Sequence, residues 1–504
     1  MKRALISVYD KTGVVPFVKS LIELGYEVIA TGGTYKLLSE AGCVTRTVES
    51  ITGFPEIFEG RVKTLHPLIH GGLLGKATSE LHRKQATANS IEWIDMVVVN
   101  LYPFYKTMTK INATDAEIIE NIDIGGPAMI RSAAKNHERV TVVTSTDDYE
   151  IVIDEIRQTH DTTMQTRRRL AAKAFALTAE YDAFISKYFQ NEEYPQQIIL
   201  PFTLKEVLRY GENPHQSAAL YQAKEKVPYS IVDAVQLHGK GLSYNNIQDA
   251  NAALSLLKEF TRPTVIALKH MNPCGLASDD DINIAWHKAY LADPVSIFGG
   301  IVASNQKVTY AMAKQMAKIF LEIVIAPAFD AEALTVLTEK KNIRLVEFVL
   351  GEVSRSYQIT SVRGGILMQS SDEGVYDELS YPTEKKPTDE QLKELLFAYK
   401  VVKHVKSNAI VLTKNNTTIG IGAGQMNRVG AAKIAIDQAG FACKGAVMAS
   451  DAFFPMDDTV TMAIEHGIEA IIQPGGSIKD QDSIDVCNHK GIAMVFTHMR
   501  HFKH

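Results

Sequence analysis

Through residues 1–195, short apolar runs alternate with longer amphipathic stretches. ALISV (4–8) reads as a buried strand, closed by Asp10-Lys11-Thr12-Gly13 and followed by a helix carrying Phe17, Leu21 and Leu24. YEVIA (26–30) is a second strand, closed by Thr31-Gly32-Gly33-Thr34 and another helix. MVVVN (96–100) and VTVVT (140–144) are further β-branched strands. Apolar runs separated by helical patterns predict the α/β class, with a parallel sheet covered by helices. A long helix is predicted over 164–189, where Leu170, Ala174, Leu177, Tyr181, Phe184 and Tyr188 form one apolar stripe. That stripe fits domain packing or a dimer seam, and Arg167, Arg168 and Arg169 before it read as a solvated face.

NEEYPQQ (191–197) reads as a linker, and residues 370–390, polar with two prolines, mark a second break. Between and beyond these breaks the pattern repeats. Val265-Ile266-Ala267-Leu268-Lys269 resembles Val411-Leu412-Thr413-Lys414, and Ala303-Ser304-Asn305 resembles Ala449-Ser450-Asp451. Glu322-Ile323-Val324-Ile325-Ala326-Pro327 resembles Glu469-Ala470-Ile471-Ile472-Gln473-Pro474. Three matches in one order, at offsets of 146–147 residues, predict a duplicated α/β unit. The expected domains are 1–195, 198–370 and 385–504.

A chain of 504 residues fits this count of domains, and 46% hydrophobic with 22% charged residues excludes disorder as its main state. The net charge of −5 offers no broad basic surface for nucleic acid, although a local anion pocket needs only a few donors. No run of about 18 apolar residues predicts a membrane span, and the first apolar stretch is too short for a signal-peptide core. Cys43, Cys274, Cys443 and Cys487 form no CxxC pair, a poor framework for disulfides or structural zinc that fits a reducing cytosol.

The two glycine-bearing loops suit a phosphate. Glycine admits close backbone approach, helix-start N–H groups attract anions, and Lys11, Thr12, Thr31 and Thr34 add charge and hydroxyls. Equally, GG turns are common punctuation. RVKTLHP (61–67) places Arg61 and Lys63 on one side of an extended segment, or on a surface strand. Asn100 and Tyr102 of NLYPF follow a strand, where α/β sheets bind ligands, with core packing the alternative for Tyr102. In DIGGPAMIRSAAKN (123–136), Asp123 is an active acid or a helix cap, and Lys135, about three turns on, faces the same cleft or water.

In the duplicated region LRYGENPHQ (208–216) is dense in functional chemistry for a turn, and LSYNNIQDA (242–250) offers three amides and an acid. KHMNPCG (269–275) is the sharpest signal. Lys269 and His270 end the strand TVIAL, where a neighbouring ammonium disfavours imidazolium and would leave His270 usable as a base, with a structural histidine the alternative. SNAIVLTK (407–414) sets Asn408 beside the matching strand of the second copy. SDAFFPMDD (450–458) suits a flat heteroaromatic ring, or its phenylalanines plug the core. THMRHFKH (497–504) is a frayed tail or sets Arg500 on a phosphate.

SVYDKTG, ATGGT, GFPEIFEGRVKTLHP, NLYPF, IDIGG and AAKNHERV resemble the cyclohydrolase half of the purine-biosynthesis family that joins AICAR transformylase to IMP cyclohydrolase. LRYGENPHQ, LKHMNPCG, IGIGAGQ, SDAFFP and the closing RHF resemble its transformylase half, so the resemblance spans nearly the whole chain. It implies a methylglyoxal-synthase-like parallel-sheet domain followed by two duplicated cytidine-deaminase-like α/β domains. It also implies a cytoplasmic homodimer with intersubunit transformylase sites, binding neither nucleic acid nor membrane.

By that resemblance, 10-formyltetrahydrofolate is the cosubstrate, no metal is needed for the chemistry, and a structural monovalent cation is allowed. Lys269, His270, Asn408 and Asp458 are then catalytic in formyl transfer, with His270 the base. Arg209, Tyr210, Gly299, Glu322, Arg500 and Phe502 hold AICAR, while Arg428, Phe453 and Ser477 border the folate. Lys63, Tyr102, Asp123 and Lys135 are catalytic in cyclisation. Ser7, Lys11, Thr12, Thr31, Gly32, Gly33 and Thr34 cradle the cyclohydrolase nucleotide, with Arg61, Thr64, Asn100, Gly125 and Gly126 completing its pocket. The rivals are a nucleotide-binding sensor, which would not need the Lys-His pair, and a zinc-type deaminase, which needs a Pro-Cys-x-x-Cys element. Here Pro273-Cys274 is followed by Gly275-Leu276-Ala277, without the second cysteine.

Overall fold

A computed structural model describes residues 1–353 and 356–504, in two units, Met1–Pro201 and Phe202–His504. In the first, β1 (Lys2–Ser7), β2 (Tyr26–Ala30), β3 (Thr45–Thr47), β4 (Met96–Val99) and β5 (Thr141–Val143) form one sheet in the order β3-β2-β1-β4-β5. Every pair is parallel. Helices cover both faces, which is why β4 and the centre of β1 are apolar, with Leu5, Ile6, Met96 and Val97 fully buried. The chain builds outward from β1 through β2 and β3, then returns to lay β4 on the other side. Connections leave β1 and β4 in opposite directions, so a crevice opens beyond their carboxyl ends.

The helix Met164–Phe189 forms as predicted, and Leu170, Ala174, Tyr181 and Phe184 of its stripe are buried. Tyr181 and Phe184 pack with Phe104 and Ile118 of the same unit, so the stripe is internal packing. The arginines before it are not simply a solvated face. Arg167 donates to the His137 and Glu138 carbonyls at 3.0 and 3.2 Å, and Arg169 pairs with buried Asp148 at 2.9 Å. Only Arg168 of the three is left without such a tie among the described contacts, and it is exposed.

The second unit starts with a hairpin of β6 (Thr203–Leu208) and β7 (Ala218–Gln222). A six-stranded sheet follows, ordered β10-β9-β11-β12-β13-β8: β8 (Val235–His238), β9 (Thr264–Lys269), β10 (Asn272–Ser278), β11 (Ile301–Ser304), β12 (Ile323–Ala326) and β13 (Arg344–Glu347). After a second hairpin, β14 (Tyr357–Val362) with β15 (Gly365–Ser370), comes the sheet β17-β16-β18-β19-β20: β16 (Ile410–Thr413), β17 (Thr418–Gly422), β18 (Ala446–Ser450), β19 (Ile468–Gln473) and β20 (Ala493–Phe496). Apart from β8, the two sheets share order and orientation: an antiparallel hairpin, an antiparallel join, then parallel strands. This is the duplication expected from the repeat. The copies meet where Leu276 donates to Thr418 Oγ1 at 2.9 Å. One apolar core, capped by helices Tyr244–Leu257 and Asp389–Val402, runs through both. Among the described residues no helix is long and apolar enough to cross a membrane.

Candidate active sites

The β1/β4 crevice of the first unit is a cavity of 520 Å³. Two helices, Gly32–Glu40 and Gly125–Lys135, start at its wall and leave N–H groups free to meet an anion. Ser7, Thr31, Gly33 and Lys11 form one end. Thr31 donates to Ser7 Oγ at 2.8 Å, and Lys11 lies so close over Gly33 that an added Cβ would sit 3.7 Å from its Nζ. An ammonium beside a helix start suits an anion in charge and shape.

Of the other expected residues, Thr34 and Asn100 also line the cavity while bracing its backbone. Thr34 is buried, its hydroxyl accepting from Val8 N at 3.1 Å. Asn100 braces the loop after β1, accepting from Tyr9 N at 2.6 Å and Asp10 N at 3.0 Å while donating to Asp10 O at 2.8 Å. Thr12 caps that loop through Asp10, outside the cavity lining, and its hydrogen bonds hold the Asp10 carboxyl below its usual range. Gly32 opens the helix, also outside the lining.

At the other end Asp123 stands half-buried. Its backbone N–H donates to Tyr181 Oη at 2.8 Å, and its carboxylate accepts from Gly126 N at 2.8 Å. Burial pushes this carboxyl up, against the pull of the Gly126 and Tyr102 N–H groups and of the Lys63 charge. Thr64 Oγ1 lies 2.8 Å from where a Cβ on Gly125 would stand, so only glycine fits. Tyr102 is 37% exposed, edge-on to Tyr9, and Arg61 pairs with Glu120 at the mouth. A poised carboxyl, an ammonium and a phenol thus converge on one wall.

Lys135 does not join them. It is the exposed last residue of a helix whose first turn lines the cavity, roughly 15 Å along the axis.

In the second unit the candidates stand along the sheet edge where β9 ends and β11 and β12 begin. Lys269 Nζ donates to Phe298 O at 2.8 Å, beside Gly299, whose φ is 72°. Glu322, just before β12, is committed to Arg344 at 2.5 Å. Arg209 and Tyr210 precede a turn closed by Gly211 N to Gln216 O at 2.7 Å and tied to helix Tyr244–Leu257 through Asn245. His270 is exposed at the turn. Asn272 accepts from Lys406 N at 3.0 Å, bringing this turn to the segment that carries Asn408.

Asn408 donates to Gln425 O at 2.9 Å and accepts from Arg428 at 2.7 Å. Arg428, expected beside a folate, is instead buried and paired with fully buried Asp451. Asn427 caps the start of its helix, and the guanidinium also donates to Asn408. Phe453 is exposed while Phe454 is fully buried, so one ring is free and one plugs the core. Asp458 opens a helix, its Oδ1 taken by Thr459 N at 2.6 Å, and Ser477 sits in the loop after β19. The tail is not frayed: Ser407 N donates to Lys503 O at 2.9 Å, and the Arg500 guanidinium lies 4.4 Å from the Phe502 ring centre.

Sequence reasoning placed Asp249 and Asp451 within candidate motifs but did not give their partners, the Met271 N–H and Arg428, which lie more than twenty residues away. It also missed Glu120, which lacks a motif. A second cavity of 500 Å³, near Glu259 and Asn305, contains none of the expected residues. No group of three or more His, Cys, Asp or Glu is placed to hold a metal among the described residues. Burial pushes the Cys274 thiol up to about 12, the reverse of what a zinc thiolate requires.

Residues 133–438 match the family described as "AICARFT/IMPCHase bienzyme", and residues 13–128 match "MGS-like domain". Proteins called "Bifunctional purine biosynthesis protein PurH" align over 100% of both chains, with 56% identity over 509 residues in Listeria monocytogenes and 57% over 512 in Anoxybacillus flavithermus. A solved structure titled "Crystal structure of ForH" is 34% identical over 38% of this chain and 97% of its own, with a TM-score of 0.35.

Proposed function

This chain belongs to the AICARFT/IMPCHase bienzyme family, and we propose that it divides the two reactions between its units: the β1/β4 cavity closes the purine ring, and the Lys269–His270 edge transfers the formyl group. The enzyme is a formyltransferase and IMP cyclohydrolase that performs the last two steps of IMP synthesis. The observation that carries the assignment of the cavity is Asp123, desolvated beside Lys63 and opposite a phosphate-shaped helix start.

In formyl transfer the 5-amino group of AICAR attacks the formyl carbon of 10-formyltetrahydrofolate. That amine is conjugated with the ring and carboxamide, so it is a weak nucleophile. The protein must hold it against the carbon, take its proton and steady the oxyanion. His270 takes the proton, Lys269 supplies positive charge, and Asn408 orients the formyl group. Arg209, Tyr210, Gly299, Arg500 and Phe502 hold the ribotide. Phe453, Ser477 and Asp458 border the folate.

In cyclisation the carboxamide nitrogen attacks the formyl carbon of the same molecule and water leaves. The attack is intramolecular, so orientation and proton transfer remain to be supplied. Lys11 and the Thr31–Gly33 turn hold the phosphate, while Asp123, Lys63 and Tyr102 move the protons. Consuming formyl-AICAR draws the poorly favourable transfer forward. The enzyme works in the cytoplasm as a homodimer. The AICAR set on the first sheet and Arg500 beyond β20 of the second belong to sites completed by a second copy.

The test is to mix the purified chain with AICAR and 10-formyltetrahydrofolate and to follow tetrahydrofolate and IMP by absorbance. Both products at equal yield support the assignment. Tetrahydrofolate without IMP refutes the role of the cavity, and neither product refutes the whole reading.

A further inference from the structure

The KHMN segment is a two-residue hairpin joining β9 to β10, with Lys269 opposite Asn272. Both central residues are left-handed, His270 at φ 52° and Met271 at φ 62°. Such turns favour Asn-Gly or Asp-Gly, because a side chain there crowds its own backbone. A histidine and a methionine stay in this conformation only where the surroundings over-determine it. Asp249, on helix Tyr244–Leu257, accepts the Met271 N–H at 2.8 Å and also bonds the His270 N–H. Asn272 donates to His270 O at 3.2 Å and is itself fixed by Lys406 N. The helix cannot drift. A Ser243–Asn246 capping box fixes its start, and Ala250, Ala253 and Leu254 are buried in the core shared by both copies.

We propose that Asp249 is a positioning residue for formyl transfer: its carboxylate holds the left-handed His270–Met271 turn, so that the imidazole projects outward beside Lys269. The proposal rests on the reading that His270 acts on the substrate amine. Lys269 is anchored separately on Phe298 O, and the ligand-holding residues lie on other elements. Loss of the Asp249 bonds would therefore release the imidazole alone, which costs turnover rather than binding.

The experiment compares Asp249→Ala, Asp249→Asn, Asp249→Glu, His270→Ala and the Asp249→Ala/His270→Ala double variant in the full chain. Cyclisation of supplied formyl-AICAR and the far-UV spectrum serve as folding controls. Asp249→Ala and Asp249→Glu are expected to lower kcat of formyl transfer by about ten- to a hundredfold, what losing hydrogen bonds to a charged group costs, with KM for both substrates within about twofold. Asp249→Asn keeps an acceptor oxygen and recovers most of the rate. The double variant is no slower than His270→Ala. Unchanged kcat, a fall carried by KM alone, or full additivity with His270→Ala overturns the proposal. Should Asp249→Ala not fold, Asp249→Glu decides by the same readouts. Wild-type activity in His270→Ala would instead remove the underlying reading.

Discussion

The Arg428 guanidinium donates to the side-chain oxygen of Asn408 at 2.7 Å while its other terminal nitrogen ends on Asp451. Asp451 has no exposed surface, and Ser407 donates to its second oxygen at 2.6 Å. The orientation of Asn408 in the site thus hangs on a buried ion pair. Breaking one half leaves a charge stranded in the interior, which costs about 3–5 kcal/mol. Arg428→Met is expected to unfold the second unit at correspondingly lower urea and to lose formyl transfer. Arg428→Lys does not restore it, since one ammonium cannot reproduce the fork. A double Arg428→Met/Asp451→Asn variant recovers stability but not activity. Urea melts with both assays check this.

Gly126 stands where an added Cβ would run into the Asp123 carboxylate, with the Asp123 Cγ 2.9 Å away. The glycine backbone is also the donor that holds that carboxylate. Gly126→Ala must push Asp123 off its bond. Cyclisation of supplied formyl-AICAR is expected to fall about a hundredfold, the effect of roughly 1 Å of misplacement, while formyl transfer in the other unit is unchanged. Steady-state rates of the two half-reactions, measured separately, settle it.

Much of this was legible in the chain itself, for physical reasons. β1, β2, β4 and the long helix were visible because burial on both faces demands unbroken apolar runs and a single stripe demands 3.6-residue spacing. The repeat showed because both copies build the same strand order. β3, Thr45-Arg46-Thr47, did not, because an edge strand of three polar residues carries no period. Lys135 lies outside the cavity lining, a distance that helical phase, which says only which side a residue faces, does not reveal. The pairing of Arg428 with Asp451, twenty-three residues later, was not legible because a motif does not show what a side chain meets across the fold. The expected ribotide loops line the cavity, and Thr34 and Asn100 also hold backbone there, a bracing role that sequence spacing does not reveal.

Burial sets a pH signature on Asp123. The folded state keeps its proton to higher pH than the unfolded chain, whose carboxyl titrates near 3.8. Between those values the folded form binds more protons, so stability falls as pH rises, and the loss is complete above the folded value. Asp123→Asn removes that loss and keeps an acceptor for Gly126. It is expected to raise the melting temperature of the first unit at pH 7. The difference disappears below pH 3.8. Cyclisation is lost. Equal melting curves at pH 7 would count against a desolvated carboxylate.

The opposite sign holds at His404, whose Nε2 meets Glu259 at 3.0 Å beside Lys403. Burial lowers the imidazole from 6.5 to about 4. Below pH 6.5 the unfolded chain takes a proton that the folded one refuses, so stability of the second unit drains as pH falls toward 4. Burial pushes Glu259 up, but His404 and Lys403 outweigh it and hold the carboxyl at about 2, so its contribution drains in turn as pH falls from 4.5. His404→Gln keeps a donor for Glu259 and cannot charge. Its melting temperature is expected to stay nearly flat from pH 7 to pH 5 while the parent's drops. Fluorescence of buried Trp286 in a Trp93→Phe background reads this unit alone.

The two chemistries are predicted to separate cleanly by substitution, because their residues are built by different units. His270 sits on a hairpin of the Phe202–His504 unit, and Lys63 lines the cavity of the Met1–Pro201 unit. His270→Ala removes the proposed base for the weak amine, an expected loss of about 10²–10⁴-fold in formyl transfer, and leaves cyclisation of supplied formyl-AICAR within about twofold. Lys63→Met removes the ammonium beside Asp123, with the complementary result: tetrahydrofolate still forms, and formyl-AICAR accumulates in place of IMP. Equal loss of both activities in either folded variant would mean that one site performs both steps. Accumulated formyl-AICAR with Lys63→Met, consumed on adding His270→Ala protein, would show that each pocket is complete for its own reaction and that the intermediate crosses through solution.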